Sequence, residues 1–450
     1  MHIGLVGCGK KKLNYAAPAR ELYQGELFKK AAAYCDRNYD GWYILSAKHG
    51  LVHPDTVLEP YDATLNDMNQ SEVDLWAQEV ASSLNGGTYY IHAGKQYQHL
   101  KNYLADYNIP VPTGGIGKKL QWYKEQEKPQ FYCVLSNRDF LKVKKDGHET
   151  KVPIWRFIDG QENWLTSLVY IEPGAWQTDP VPGHRFLDCG AWSYKNDEVP
   201  KWSVDECIEM YNQYANMGDI ITSPDHLVMR NHDATIENER IALSLSNAHK
   251  FIKKYPKQFV PIAVTHGNDI DKRIAMTKQL LDMGYRYIAI GGVAGRAGNR
   301  KFVQEIIERT CNLREHGYFK IHVLGISALS WLPVYEEYGV NSYDGSSMFF
   351  SAFTGASYYW LDPNHISGIT KYSVKDLNAE DIPICHCPAC VTMRKQGDDT
   401  RTMGSNERNM GRAVHNINVY LQAKKSGIKP KPRQVSLFDE GVSYGINNSD

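Results

Sequence analysis

The sequence predicts an α/β fold in two parts: a small N-terminal α/β domain, then a (β/α)8 barrel of the TIM type with a zinc-binding insertion near its C-terminal end. Three observations lead there. Short apolar segments alternate with stretches of helical periodicity, the pattern of parallel strands joined by helices. From Phe131 onward eight such segments follow one another within about 220 residues, the number a closed barrel requires. Three cysteines also crowd into Cys385-His386-Cys387-Pro388-Ala389-Cys390, a spacing for metal ligation rather than for a disulfide framework.

Composition sets the outer bounds. A chain of 450 residues, 42% of them hydrophobic, can bury the cores of two domains. Its 51 Lys+Arg balance 51 Asp+Glu, so any nucleic-acid partner must be recognised by local sites rather than by net charge. The longest apolar runs, such as Val260 to Val264 and Ile288 to Ile290, fall far short of the roughly 20 residues needed to cross a bilayer. The start, Met1-His2-Ile3-Gly4-Leu5, reads into a strand and not a signal peptide, so a cytoplasmic location is expected.

Residues 1–125 form the first predicted domain. Strands are expected at Ile3 to Val6, Trp42 to Leu45 and Tyr89 to Ile91, with helices over Ala17 to Tyr34 and Ser71 to Leu84. Gly7-Cys8-Gly9-Lys10-Lys11-Lys12 follows the first strand and Leu45-Ser46-Ala47-Lys48-His49-Gly50-Leu51 follows the second. Lysines and backbone N–H groups at adjacent strand ends make a phosphate or nucleic-acid cradle, set against the plainer reading of a solvated lysine run. Lys124 to Pro129 reads as a polar linker. The barrel is expected over residues 130–423, with strands at Phe131 to Leu135, Leu168 to Ile171, Arg185 to Asp188, Asp219 to Thr222, Val260 to Val264, Tyr285 to Ile290, Lys320 to Gly325 and Asn341 to Asp344. Residues 424–450, rich in Lys, Pro, Gly, Ser and Asn, read as a flexible tail.

Barrel chemistry sits at the carboxyl ends of the strands, and three of those ends carry an aspartate: Asp188, Asp225 and Asp344. Carboxylates in different environments at one mouth can divide into nucleophile and general acid/base, which suits displacement at an anomeric carbon. Asp225 could instead cap the next helix. Thr265-His266-Gly267 and Gly291-Gly292-Val293-Ala294-Gly295 end two further strands, and glycine there lets a flat ligand approach the main chain. Cys385, Cys387 and Cys390 with His415 on a later helix complete a closed tetrahedral set, which suits a structural zinc. A tight turn at Pro388 would gather the thiolates, and His386 would point away.

In order and spacing these motifs resemble the tRNA-guanine transglycosylase superfamily across roughly residues 131 to 420. The zinc signature, the Asp188-Cys189-Gly190-Ala191-Trp192 segment, Asp225, the Gly291-Gly292-Val293-Ala294 loop and Gly339-Val340-Asn341-Ser342-Tyr343-Asp344 carry the resemblance. It implies that Asp344 attacks the sugar C1′, Asp188 is the general acid/base, Trp192 stacks on the base and Asp225 holds its pyrimidine edge. A 7-deazaguanine, such as 7-cyano-7-deazaguanine, would then replace guanine. Val264-Thr265-His266-Gly267 stands where the tRNA enzymes have Val-Gln-Gly-Gly, and Gly345-Ser346-Ser347-Met348 replaces their Pro-Thr-Arg, departures that resemble the branch acting on DNA. The alternatives are tRNA as substrate and a non-catalytic nucleic-acid binding module. The N-terminal part resembles an uncharacterised family of small domains with the two lysine motifs and Glu59-Pro60-Tyr61-Asp62. In the tail, Gln434-Val435-Ser436-Leu437-Phe438 resembles the peptide by which replication proteins dock on the sliding clamp, against the alternative that Leu437 and Phe438 fold back on the barrel.

Overall fold

Strands buried on both faces set the architecture of the N-terminal unit. In the computed structural model, which describes residues 2–426 except 85, 137, 146–147, 162, 366–367 and 405, the chain divides into two compact units, residues 1–128 with 314–320, and residues 129–313 with 321 onward. In the first, β1 (His2–Gly7) pairs in parallel with β2 (Gly41–Ser46) on one side and β4 (Thr88–His92) on the other. β3 (Gly50–Val52) and β5 (Tyr107–Asn108) extend the sheet to the order β3-β2-β1-β4-β5. Leu5 and Val6 face opposite sides, so each side needs a cover. Helices α1 (Glu26–Asn38) and α3 (Ile116–Gln126) seal one face through Phe28, Ala31, Cys35 and Tyr123. Helix α2 (Gln70–Ser82) seals the other through Trp76, Ala77 and Val80.

In the second unit β6 (Gln130–Val134), β7 (Asn163–Ser167), β8 (His184–Asp188), β9 (Ile220–Thr222), β10 (Val260–Thr265), β11 (Tyr287–Ile290), β12 (Lys320–Val323) and β13 (Ser342–Gly345) form a closed barrel. Closure is made by β13 pairing with β6, Asp344 opposite Tyr132. Tyr132, Leu165, Phe186, Ile220, Ile262, Val264 and Ala289 fill the interior. Outside lie α4 (Pro173–Thr178), α5 (Val204–Tyr214), α6 (Ala234–Lys254), α7 (Ile270–Asp282), α8 (Arg300–Asn312), α9 (Leu332–Glu337) and α10 (Ser347–Phe353). Their starts are written in the sequence: Ser203 and Glu206 form a capping box, and Asp233, Asp269 and Asn299 each accept N–H groups of the helix they begin. A hairpin of β14 (Ser357–Leu361) and β15 (Ile369–Ser373), then α11 (Pro388–Lys395) and α12 (Asn406–Ser426), follow the barrel. Among the described residues no helix is long and apolar enough to cross a membrane.

Four sequence expectations are corrected. The second barrel strand is Asn163–Ser167, and Leu168–Tyr170 is a 3-10 turn, because the Ser167 hydroxyl accepts the Val169 N–H and ends the strand. The helix expected over Ala17 to Tyr34 is broken up: Ala17–Pro18 pairs with Val57–Leu58, Ala19–Leu22 makes one helical turn, and the long helix starts at Glu26 after Gly25. Lys124 to Gln126 are the last turn of α3, not linker, since Trp122 and Tyr123 anchor that helix in the core. Lys424 and Lys425 belong to α12. Gln434, Leu437 and Phe438, the expected clamp-docking residues, lie outside the described residues.

At the amino ends of β8 and β9, Arg185 and Asp219 form a buried ion pair at 2.7 Å, with the guanidinium over the Trp176 ring. Asp219→Ala strands a buried cation, so it should lower stability by about 3–5 kcal/mol, read as a loss of urea midpoint. The double change Arg185→Met with Asp219→Leu should recover most of that loss.

Candidate active site at the barrel mouth

Parallel strands bring the ends of β8 to β13 to one rim, and the three aspartates of the sequence reading meet there. Asp188 is the last residue of β8. Its Oδ2 accepts the Gly190 N–H at 2.8 Å. Gly190 has φ +93°, and a Cβ on it would lie 2.3 Å from Val169, so this backbone approach requires glycine. Burial pushes the Asp188 carboxyl up to about 7, with the Asp225 charge adding to the shift, the Gly190 N–H opposing it and Asp344 adding to it again. Asp188 is therefore a carboxyl group that carries a proton near neutrality.

Asp225 lies three residues beyond β9 in a segment buried throughout from Ile221 to Val228. It caps no helix; Asp233 does that for α6. One oxygen accepts the Cys189 thiol at 3.0 Å and the other accepts His266 Nε2 at 2.6 Å. Tyr194 donates to Cys189 Sγ and to the Asp225 carbonyl, both at 3.3 Å. His266 Nε2 faces the carboxylate, so the other ring nitrogen, Nδ1, is turned away from it. It is buried and has no hydrogen-bond partner among the described residues. A Cβ on Gly291 would stand 3.2 Å from that nitrogen, so glycine keeps the space before it open.

Asp344, on β13, is held through Oδ1 alone, by the Gly325 N–H at 2.8 Å and by His322 Nε2 at 3.1 Å. His322 Nδ1 in turn hydrogen-bonds the Ser342 hydroxyl at 2.6 Å, and Ser342 contacts the Tyr287 hydroxyl. The Asp344 Oδ2 has no hydrogen-bond partner among the described residues. Gly325 adopts φ +76°, with Ala294 2.8 Å from where its Cβ would be.

Not every expected residue joins this cluster. The Thr265 hydroxyl donates to the Arg273 carbonyl and fastens β10 to α7. Gly291 and Gly292 line the rim, tied down by Arg273, which donates to the carbonyls of Gly267 at 2.6 Å and Gly291 at 2.7 Å. Trp192 is 58% exposed, with Lys195 over its ring. Cys189, His322 and Arg273 were not singled out in the sequence. His322 had a signal: in Lys320-Ile321-His322-Val323 it shares an inward face with the strand-end residues, where a polar side chain is unusual.

The second cluster is a candidate metal centre. The ligand atoms of Cys385, Cys387, Cys390 and His415 all lie within 4.8 Å of one another. His415 donates Nε2–H to the Tyr359 carbonyl at 2.7 Å, which leaves Nδ1 free to face the thiols, and Cys387 Sγ is 3.8 Å from it. Cys385 Sγ accepts the Cys387 N–H. These donors fit a metal ion with no open coordination position, a structural site. Pro388 does not make a tight turn; it is the first residue of α11, where its fixed φ suits a helix start, and Cys387 caps it. His386 is exposed and outside the cluster.

Residues 3–125 match a family of unknown function, DUF6884. The chain is also similar to a protein from Salmonella montevideo named DNA-guanine transglycosylase, 29% identical over 177 residues, which is 37% of this chain and 41% of that protein. The match thus spans about two-fifths of the relative's length.

Two tests follow from the site itself. In the unfolded chain Asp188 releases its proton near the ordinary 3.8, while the folded protein keeps it to about 7. Its ionisation therefore subtracts stability as pH rises between those values, and the full penalty applies above pH 7. Asp188→Asn should raise the melting temperature at pH 8 and leave it nearly unchanged at pH 4, as read by calorimetry. Cys387→Ser should lose the bound metal by elemental analysis and lower the melting temperature of the C-terminal region.

Proposed function

We propose that the barrel is a base-exchange transglycosylase that replaces guanine in DNA with a 7-deazaguanine. The observation that carries the reading is the division of labour between two carboxylates: Asp188 holds a proton near pH 7, and Asp344 keeps one oxygen free while the other is fixed. Asp344 Oδ2 attacks C1′ of the deoxyribose as the C1′–N9 bond breaks, and Asp188 gives its proton to the departing guanine. The incoming 7-deazaguanine then returns a proton to Asp188, its N9 attacks C1′, and the Asp344 ester is released. The name of the Salmonella montevideo relative supports both the chemistry and DNA as the polymer.

Asp225 is already engaged by Cys189 and His266, so recognition of the base passes through His266 Nδ1, an acceptor for a base N–H beside the Gly291-Gly292 edge. Trp192 would move over the base once it is bound. Three thiolates and an imidazole suit zinc, which would hold α12 against the barrel and take no part in the exchange. Acting on DNA with a freely diffusing base, the protein would work in the cytoplasm.

The test is incubation with 7-cyano-7-deazaguanine and either duplex DNA or tRNA, digestion to nucleosides and mass spectrometry. A modified deoxynucleoside is expected. Asp344→Asn should form none while still binding DNA, and Asp188→Asn should slow turnover about 10²–10⁴-fold. A modified ribonucleoside would move the substrate to tRNA, and no product from either polymer would reject the reading.

A further inference from the structure

The N-terminal unit has a crevice of its own, separate from the barrel chemistry. In its sheet β1 leads to β2 on one side, while β4 leads to β5 on the other. Their carboxyl ends diverge at a topological switch point, where open parallel sheets take their ligands. Cys8, just past β1, and Tyr97, past β4, meet across it, Sγ to hydroxyl 3.1 Å. Gly7 allows the approach, since a Cβ there would lie 2.9 Å from Ala93.

The chemistry of this rim is anion-binding. The three strand-end loops supply Lys10, Lys11, Lys12, Lys48 and Lys95 and no carboxylate. Lys12 Nζ lies 4.3 Å from the centroid of the Tyr61 ring and Lys48 Nζ lies 5.5 Å from the same centroid. Neither has an ion-pair partner among the described residues. Two like charges converging on one ring repel each other, and an anion between them removes that repulsion. Their surroundings agree: burial and the neighbouring Lys48 charge both lower the His49 pKa. The N–H groups of Gly9, Lys10 and Lys11 donate to nothing among the described residues, a run of backbone donors of the kind that cradles phosphate. Beneath them the hydroxyls of Tyr23, Tyr61 and Ser46 form a bonded row, Tyr23 to Tyr61 at 2.6 Å and Ser46 to Tyr61 at 2.7 Å. The Ser46 oxygen also accepts the N–H groups of Lys48 and His49, which fixes the lysine loop.

A groove of about 560 Å³ opens from the same turn, with Lys48 and His49 on its edge, Met68 and Trp76 on its wall, and Glu72 and Glu79 of α2 as acceptors. Its size suits a small organic group carried by the phosphate.

We propose that this crevice binds a nucleotide through its phosphate, held by Lys12, Lys48 and the Gly9–Lys11 backbone, with the base and sugar in the adjoining groove. The test is calorimetric titration of the full chain with 2′-deoxyadenosine 5′-monophosphate, whose adenine does not match a guanine-reading barrel, and with 2′-deoxyadenosine. The monophosphate should bind and the nucleoside should not. Lys12→Met with Lys48→Met should weaken binding at least tenfold with circular dichroism and metal content unchanged, and Tyr61→Phe should weaken it less. Displacement of the monophosphate by a 20-base-pair duplex would identify a nucleic-acid strand as the source of the phosphate, and no displacement would identify a free nucleotide. Absence of binding, equal binding of the nucleoside, or unchanged binding by the double variant overturns the proposal.

Discussion

Three aspartates gathered at one barrel mouth cannot all be ionised without compensation, and the structure answers each in a different way. Asp225 is compensated by an imidazole and a thiol, Asp344 by an imidazole and a backbone N–H, and Asp188 by keeping its proton. Burial first, and neighbouring like charges after it, separate the protonation states of otherwise identical groups. Under the proposed function, the carboxyl that keeps its proton is the acid and the carboxylate with one oxygen left free is the nucleophile. The proposed chemistry depends on that inequality.

The scaffold keeps the inequality in place. Gly190 and Gly325 bring N–H groups under carboxylates where a Cβ would collide. Arg273 ties the β10 and β11 ends together through two carbonyls, and so fixes the edge against which a base would lie. The metal centre reaches the same site through α12. On that helix Asn416 donates to the carbonyls of Met348 and Ser357, and the Tyr420 hydroxyl donates to Tyr343, the neighbour of Asp344. The cluster that could hold a metal is thus tied, through α12, to the strand that carries Asp344.

Much of this was legible in the sequence, for physical reasons. Seven of the eight barrel strands were placed by apolar runs, because strands covered on both faces read as continuous hydrophobic segments. Asn163–Ser167 was missed because Trp164 and Leu165 are flanked by polar residues, while the more apolar Leu168 to Ile171 lies just past the serine that ends the strand. Asp188, Asp225 and Asp344 stood out as polar residues at strand ends. The pairing of Asp225 with Cys189 and His266 was not readable, since it joins three loops through side-chain geometry alone. Thr265 has the right position and the wrong direction, its hydroxyl drawn to the Arg273 carbonyl.

The most direct measurement of the central claim is the pH dependence of the carboxyl C=O stretch by difference infrared spectroscopy of the free protein. A buried carboxylic acid should lose its proton around pH 7, and that titrating band should vanish from the spectrum of Asp188→Asn, while the band of Asp139, which burial raises to about 6, should remain. A spectrum in which no carboxyl group titrates around pH 7, or in which that titration persists in Asp188→Asn, would contradict the account.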